Sequence, residues 1–439
     1  MLPTPVANAR TMTETPPPRP AASASVRVLL ALIAGAVAGL SLAAWDADTA
    51  IRIADAAQPV GRLWLNALQM TVVPLVAALV IVGINAAADA AASGRNARVA
   101  MVVFAVLLLL CGTFAAIAAP ALLSLVPRDE ALVSAFRAAI QSPEVLPQAP
   151  SFGAWITSVI PSNVLAAAAA SAMLPLVVFS MFFGFALTRL ESERRERLLE
   201  LVRSVGDAMV VIVRWVLWAA PVGVFALVFS VCAHVGLGVL TALGYYIGLQ
   251  CVLYVSITLL MYVIAVTVAG ERLRRFAAAL LPVQAIAAST QSSLASLPVM
   301  VDSARHRLGY PLAVTSLVLP MAVSLFRIAS PTQYLSVVVF IGWMYGVELG
   351  PAQLAVAVAL SLVISMGSVG LPGQVSFMTN NLPVTQAMGL PVEPLGVLLA
   401  VDTIPDIFAT VANTTGDVTA TGVVARHGGA GAPPMDPDP

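Results

Sequence analysis

Long, unbroken apolar runs recur along the chain and restrict its fold more than any other feature. They are Val26–Trp45, Met70–Val82, Met101–Leu125, Met173–Phe185, Val210–Val231, Ile247–Val268 and Leu312–Phe326. Several approach or exceed the roughly 20 residues that a helix needs to cross the hydrocarbon core of a bilayer. Only helices and closed barrels satisfy the backbone in lipid, and continuous rather than alternating runs favour helices. The pattern predicts an all-α polytopic membrane protein surrounded by lipid.

Charge is scarce, which excludes several classes of function. Charged residues make up 10% of the 439 residues, against about 25% in soluble domains. The formal net charge is zero, so a nucleic-acid partner has no electrostatic support. No phosphate-binding glycine loop precedes a helix, and neither a metal-ligand cluster nor a nucleophile–base pair is recognisable. We therefore expect no ATP-driven pump, no enzyme and no cofactor.

The distribution of arginine indicates the orientation in the membrane. Clusters occur at Arg10/Arg19/Arg27, Arg95/Arg98, Arg189–Arg203, Arg272/Arg274/Arg275, Arg305/Arg307 and Arg426, and they alternate with less positive connections. By the positive-inside rule the clusters face the cytoplasm. We expect both termini in the cytoplasm, polar disordered tails at 1–24 and 427–439, and a location in the plasma membrane, which is the inner membrane of a bacterium.

Two segments begin and end on the same predicted side of the membrane, so they are expected to re-enter as helical hairpins. The first is Pro282–Val299, and the second is Leu354–Pro383. Their small, hydroxylated tips end alike, in Leu-Pro, and a long helix follows each hairpin, over Pro311–Met344 and Glu393–Val424. Two such units entering from opposite faces make an inverted repeat, and broken helices at corresponding positions indicate a transporter's binding site. The alternative is a pair of weakly hydrophobic ordinary spans.

Five polar residues occupy one face of the last predicted helix. They are Asp402, Asp406, Thr410, Asn413 and Asp417, at spacings of three and four residues. Carboxylates buried in a membrane need cations, protons or donors to offset their desolvation. The stripe therefore indicates binding of a solute and cations, and the alternative is a solvated surface helix.

Arg327 is the other costly residue, because it lies deep inside an apolar run. It should pair with a carboxylate of the last helix or with a bound anion. The alternative to contact with substrate is a purely structural ion pair that locks two helices together. Pro331 is expected to interrupt this helix and to free carbonyls around Arg327 and Ala329 as ligands.

These motifs together resemble the dicarboxylate/amino acid:cation symporter family, the glutamate-transporter homologues, over residues 25–426. The matching motifs are Ser292-Ser-Leu-Ala-Ser-Leu-Pro298, Ser365-x-Gly-x-x-Gly-x-Pro-Gly373 and Asp402-x3-Asp406-x6-Asn413-x2-Gly416-Asp417. The resemblance implies eight transmembrane helices plus two re-entrant hairpins, assembled as a homotrimer. It also implies a scaffold and an elevator-like transport domain: helices 1–6 over 25–270, with helices 3 and 6 moving, and a transport core over 271–426.

The resemblance also implies the residues of the site. Asn413 and the backbone around Ser293 would hold the main carboxylate of the substrate, Asp406 would hold an α-amino group, and Asp417 would bind a cation. The full set of candidate substrate contacts is Ser292, Ser293, Arg327, Ser330, Gly370, Asp406, Thr410 and Asn413. The candidate cation ligands are Asp402, Asn413, Asp417, Ser365 and Gly367, with sodium possible at Asp417.

The chain departs from the family pattern where sodium and acidic side chains are normally bound. The family's Asn-Met-Asp-Gly-Thr motif is replaced by Phe326-Arg-Ile-Ala-Ser330, and a hydroxyl pair of the third span by Cys111-Gly112. The arginine that clamps a side-chain carboxylate in acidic-substrate members would fall at Ala409 or Gln291. One hypothesis is that Arg327 replaces a bound sodium ion, and a competing one is that it replaces the missing clamp.

The sequence thus predicts a secondary active symporter of an amino acid or small (di)carboxylate. The coupling ion would be sodium or a proton, with altered sodium sites. The alternative is a degenerate homologue that acts as an ion-permeable pore or sensor. Retention of Asp406, Asn413 and both hairpin tips favours transport, since a chain that does not transport has no physical need for them.

Overall fold

The computed structural model of the chain describes residues 24–92, 94–126, 159–236, 238–367 and 373–428. In these ranges the regular elements are all helices. Helices α1 to α8 are Ala24–Trp45, Ala47–Ala92, Arg95–Leu123, Val164–Ala169, Met173–Leu187, Ser192–Trp218, Ala220–Val235 and Gly238–Thr267. Helices α9 to α16 are Leu273–Thr290, Ser293–Asp302, Leu312–Leu325, Ala329–Tyr345, Pro351–Gly367, Gly373–Ala387, Pro394–Val401 and Thr403–His427, and a π-helical turn, Ser303–Arg307, follows α10.

Five helices in the described ranges are long and apolar enough to cross a membrane. They are Arg27–Trp45, Ala47–Ala92, Arg95–Leu123, Leu240–Thr267 and Leu312–Tyr345. The count rises to seven if two bent pairs, α6 with α7 and α15 with α16, each make one span. The all-helical, polytopic character predicted from the apolar runs is confirmed, and the predicted tails lie mostly outside the described residues.

The helix predicted over Pro311–Met344 is broken between α11 and α12, at residues 326–328. A proline ring clashes with the carbonyl of the fourth preceding residue and provides no N–H group. For Pro331 that carbonyl belongs to Arg327, so the helix ends before it. Pro331 itself lies in the first turn of α12, where a missing N–H costs nothing. The interruption is therefore confirmed, but it lies just upstream of the predicted position.

The prediction of one continuous last helix over Glu393–Val424 is wrong, because the chain bends by 69° between α15 and α16. Pro405 lies in the first turn of α16, and its ring opposes the carbonyl of Val401, the last residue of α15. Asp402 lies at the junction. The predicted stripe is therefore divided, with Asp402 at the bend and the other four residues along α16.

The first predicted hairpin is formed by α9 and α10, which pack against each other. Gln291 makes the turn in the left-handed region, with a φ of 51°. Ser292 caps α10, since its Oγ accepts a hydrogen bond from the N–H of Ala295 at 3.2 Å. The second hairpin is formed by α13 and α14, and its tip, 368–372, lies outside the described residues. Re-entry into the membrane stays a prediction for both.

Two apolar clusters hold the helices together. The larger one joins α1, α2, α5 and α7 to α12, α13, α14 and α15. The second is formed by α3, α8, α9, α10, α11 and α16. Helix α16 packs along α8 and against α9 and α11. This packing places the polar face of α16 beside the break between α11 and α12.

Candidate functional site

Three predicted features, the broken helix, the tip of the first hairpin and the polar helix α16, are joined by hydrogen bonds. The backbone N–H of Ala329, at the start of α12, donates to Asn413 Oδ1 at 2.9 Å. The side-chain amide of Gln291, at the tip of α9–α10, donates to the carbonyl oxygen of Thr403 at 3.2 Å. The structure therefore brings together segments that are 84 and 112 residues apart in sequence.

Asn413 both supports the broken helix and presents a donor to the site. Its Oδ1 satisfies one of the N–H groups that α12 leaves without an intrahelical partner. Its Nδ2 group makes no hydrogen bond with a described residue, so it can donate to an anion. An amide donor beside the N-terminus of a helix suits a carboxylate.

Asp406 and Thr410 lie on the next turns of α16, on the same side as Asn413. Asp406 is partly exposed, and its carboxylate accepts no hydrogen bond from a described residue. The Thr410 hydroxyl is buried and donates to the carbonyl oxygen of Asp406 at 2.8 Å. A partly exposed carboxylate on the same helix face as an amide donor can hold an ammonium group while the donor holds a carboxylate.

The carboxylate of Asp417 is buried without a hydrogen-bond partner among the described residues. The residue is fully buried, and neither oxygen receives a hydrogen bond from a described residue. Desolvation of an ionised carboxylate costs on the order of several kcal/mol unless a cation or a proton neutralises it. Asp417 is therefore chemically suited to hold a cation, as predicted for this position.

Asp402 has a protein partner and is less available than Asp417. It is buried at the bend between α15 and α16, and Gln333 Nε2 of α12 donates to its Oδ1 at 3.1 Å. Asp402 is also a predicted cation ligand, and its Oδ2, which does not bond to Gln333, is the oxygen that could take that role. The contact with Gln333 also ties the bend of the last helix to the broken helix.

Arg327 lies in the break between α11 and α12. The predicted ion pair with a carboxylate of α16 is wrong, and the alternative partner, a bound anion, stays a prediction. No carboxylate oxygen of a described residue lies within 4.0 Å of its guanidinium nitrogens. One guanidinium nitrogen instead donates to Ser376 Oγ of α14 at 2.8 Å. The guanidinium still interacts electrostatically, at longer range, with Asp402, Asp406 and Asp417.

Three predicted substrate contacts are serines, and the structure gives each a different position. The hydroxyl of Ser292 is used as a helix cap, so its side chain has a local role. Ser293 is partly exposed at the first position of α10. Ser330 is buried in the first turn of α12, where its N–H donates to the carbonyl oxygen of Arg327 at 3.0 Å.

The predicted contacts of the second hairpin are only partly described. Ser365 is buried in α13, and Gly367 is the last residue of that helix. Gly370 lies outside the described residues, so its predicted contact with substrate stays a prediction.

An apolar group fills the region where the family pattern has sodium ligands. Ile328 is fully buried against Gly416, so that a Cβ added to Gly416 would lie 2.9 Å from Ile328 Cγ2. Phe326 stacks on Phe104 with ring centroids 4.7 Å apart. Cys111 belongs to the same apolar cluster. These side chains carry no oxygen ligand, and sodium requires oxygen ligands, so they do not fit a sodium ion.

The sequence analysis missed the partners of Arg327 and Asp402. Ser376 and Asn380 lie one turn apart on α14 and are buried, and Gln333 lies on α12. The signal was present: Thr-Asn-Asn at 379–381 is a polar run between apolar residues. Polar residues within apolar helices indicate a functional role, and residues 379–381 of α14 meet this criterion as the polar face of α16 does.

Comparison with known proteins agrees with this arrangement. The sequence profile of the sodium:dicarboxylate symporter family matches residues 24–427. The proton/glutamate-aspartate symporter of Escherichia coli K12 is 30% identical over 414 residues, which cover 91% of this chain and 92% of that protein. The proton/sodium-glutamate symport protein of Bacillus subtilis is 27% identical, covering 92% of each chain. The rabbit (Oryctolagus cuniculus) neutral amino acid transporter B(0) is 29% identical, covering 91% of this chain and 79% of that protein.

The match spans nearly the whole described chain, including both hairpins and the polar helix α16. The relatives are membrane transporters, and the described helices include several that are long and apolar enough to span a bilayer. The protein is a multi-pass helical membrane protein, and it belongs to the sodium:dicarboxylate symporter family.

Proposed function

We propose that the protein is a secondary active symporter that moves an amino acid or a small (di)carboxylate with a cation gradient. The observation that carries the proposal is the hydrogen bond that places Asn413 at the first residue of α12. Two turns away on the same face of α16, Asp406 supplies a partly exposed carboxylate. This pair suits the ammonium and carboxylate groups of an amino acid. Relatives whose names give glutamate, aspartate or neutral amino acids as substrates support the same class.

The substrate site in this proposal comprises the Asp406–Asn413 face, Ser293 and Ser330, with Ser292, Gly370 and Thr410 around it. A second carboxylate on the substrate has no obvious clamp. Ala409 carries no donor, and the amide of Gln291 is bound to the carbonyl oxygen of Thr403. A neutral amino acid or a monocarboxylate therefore fits the described residues as well as an acidic one does.

The coupling ions in this proposal are fewer than the family's usual number of sodium ions, or are protons alone. Asp417 would hold a cation, with Asp402, Asn413, Ser365 and Gly367 as further candidate ligands. The apolar contacts of Ile328 and Phe326 leave no side-chain oxygen for another sodium ion at their position. Arg327 would supply the missing positive charge, or alternatively would clamp a substrate carboxylate.

The proposed architecture follows the family: eight spans and two re-entrant hairpins, an elevator-like transport core over 271–426, and a homotrimer. Both termini would face the cytoplasm of the cell whose plasma membrane, or bacterial inner membrane, holds the protein. The described residues hold five to seven candidate spans, and the shorter apolar helix Met173–Leu187 is available as a further one.

Uptake into proteoliposomes tests the function. Amino acids and dicarboxylates are offered with a sodium gradient, a proton gradient or neither, and Asp406→Asn is compared with Thr419→Val. Thr419 is buried on the same helix, but its hydroxyl donates only to backbone carbonyl oxygens, that of Thr415 at 2.8 Å and that of Met261 in α8 at 3.4 Å. We expect gradient-driven accumulation that Asp406→Asn abolishes for substrates with an α-amino group and that Thr419→Val preserves.

Two results would contradict the proposal. Strict dependence on several sodium ions per substrate would exclude the altered coupling. Substrate-gated current without accumulation would favour the pore. Arg327→Gln separates the two roles of the arginine: loss of acidic substrates alone favours the clamp, and loss of all binding favours charge replacement.

A further inference from the structure

Two donors from different elements converge on one hydroxyl oxygen of the second hairpin. Arg327 donates to Ser376 Oγ at 2.8 Å, and Asn380 Nδ2 donates to the same oxygen at 2.9 Å. A hydroxyl oxygen has two acceptor lone pairs, so both are in use. Ser376 and Asn380 are buried, and the bond from Arg327 spans 49 residues of sequence.

This arrangement fixes where the only guanidinium near the described carboxylates of α16 sits. Arg327 interacts at long range with Asp402, Asp406 and Asp417, yet no described carboxylate is within 4.0 Å of it. A mobile arginine would collapse onto the nearest carboxylate, because a charge-assisted bond to an anion is stronger than one to a hydroxyl. Ser376, held by Asn380, therefore keeps the guanidinium on the α14 side of the carboxylates.

We infer that Ser376 and Asn380 are positioning residues for Arg327. We call Arg327, Ser376 and Asn380 the latch. Its hydrogen bonds hold α14 against the α11–α12 break, and the cation in it is a side chain of the protein itself. The guanidinium is charged at every physiological pH and cannot dissociate from the chain. The placement of α14 against the α11–α12 break is then independent of any bound monovalent cation. This inference rests on the proposed function only in identifying which ion the guanidinium replaces.

Hydrogen exchange of α14 tests the latch directly. The full-length protein in lipid nanodiscs, without substrate, is compared in sodium chloride and in choline chloride by mass spectrometry of peptides from 373–387. The wild-type protein is expected to show the same protection in both salts. Loss of a hydrogen bond to a charged group is worth about 1.5 kcal/mol or more, so Ser376→Ala and Arg327→Gln should each lower protection about tenfold.

Matched controls separate the latch from general loosening of α14. Asn381 neighbours Asn380, but its Nδ2 donates to the carbonyl oxygen of Phe377 in the same helix, and the Thr385 hydroxyl bonds to the carbonyl oxygen of Asn381. Because they lie outside the latch, Asn381→Ala and Thr385→Val should change exchange by the same amount in the wild-type protein and in Arg327→Gln. The double variant Arg327→Gln/Ser376→Ala, by contrast, should lose no more protection than either single variant.

Several results would overturn the inference. Protection of α14 in the wild-type protein that rises severalfold with sodium would show that a dissociable cation places the hairpin. Strictly additive effects of the Arg327 and Ser376 substitutions would show that the two residues act independently. If Ser376→Ala does not fold, two other variants replace it: Ser376→Thr, which keeps the hydroxyl oxygen, and Asn380→Ala. Equal protection of α14 in these two variants would also refute the latch.

Uptake assays run on the same samples keep the two proposals distinguishable. A protein with cation-independent protection of α14 but no substrate accumulation would refute the proposed function and leave the latch standing. A protein that accumulates substrate while α14 depends on sodium would refute the latch alone.

Discussion

Replacement of Asp417 by Asn isolates the electrostatic role of the buried carboxylate. Asp417 is fully buried in α16, and neither of its oxygens accepts a hydrogen bond from a described residue. Arg327 attracts it from a distance, but no ion pair joins them. Asn has nearly the same shape and no charge, so the substitution removes the charge and little of the packing.

The magnitude follows from two costs. Burying an ionised carboxylate without partners lowers the stability of the folded state by on the order of several kcal/mol, even after its surroundings relax. A buried, unsatisfied amide costs about 1–3 kcal/mol. Without a neutralising cation, the free energy of unfolding of Asp417→Asn should therefore exceed that of the wild-type protein by about 1–3 kcal/mol.

A cation that binds only the folded wild-type protein reverses this order. Binding adds RT ln(1 + [L]/Kd), which is about 2.7 kcal/mol at a hundredfold excess over Kd. Thermal unfolding in detergent is measured in choline chloride, then in increasing sodium chloride, and again at lower pH in choline. We expect the melting temperature of the wild-type protein to rise with sodium or with protons, whereas that of Asp417→Asn does not respond.

Thr419→Val provides the control, because it removes a buried polar group two residues away without removing charge. Its melting temperature should respond to the cation as the wild-type protein does. If Asp417→Asn melts lower than the wild-type protein in sodium-free buffer, the carboxylate is satisfied by protein groups and the reasoning fails. An identical cation response in Asp417→Asn would also refute it.

Three further substitutions test the packing around the site and a connection outside the membrane spans. Gly416→Ala should lose about 1–3 kcal/mol of stability, since the new Cβ would lie 2.9 Å from Ile328 Cγ2; the double variant with Ile328→Ala should lose less than the sum of both. Asn413→Leu should cost about 1–3 kcal/mol in the same unfolding assay by orphaning the N–H of Ala329, whereas Asn413→Asp keeps the acceptor. Burial raises the pKa of Glu271, between α8 and α9. The folded protein therefore loses stability relative to the unfolded chain as pH rises through that pKa and the carboxyl group ionises. Glu271→Gln, which stays neutral, should melt higher than the wild-type protein at pH 8 and equally in acid.

The parts of the fold that could be predicted from sequence are those fixed by local rules. Apolar runs predicted the helices, because only helices satisfy the backbone in lipid. The helix–turn–helix of the first hairpin was predicted from the arginine clusters on both sides of it, and Pro331 predicted an interrupted helix. The bend at Asp402 was missed although Pro405 carries the same signal, because the regular spacing of polar residues suggested one continuous helix.

Long-range partners could not be predicted, because local spacing does not determine which side chains meet across helices. Arg327 was expected beside a carboxylate, since opposite charges attract, but the structure gives it the hydroxyl of Ser376. Asn413 was expected to bind substrate, and it also caps α12 through Ala329. Both outcomes depend on how α12, α14 and α16 pack, which the sequence pattern leaves open.

The differences from the family pattern share one physical consequence. Where the family motif has an acidic residue, this chain has Ile328 packed on Gly416; where it has a neutral residue, this chain has Arg327. The exchange removes a negative charge and adds a positive one next to the carboxylates of α16. The neighbourhood therefore gains two units of positive charge within the polypeptide, and its demand for bound cations falls accordingly. In the proposed transporter, Asp406 and Asn413 would therefore keep their substrate-binding role while fewer ions are coupled.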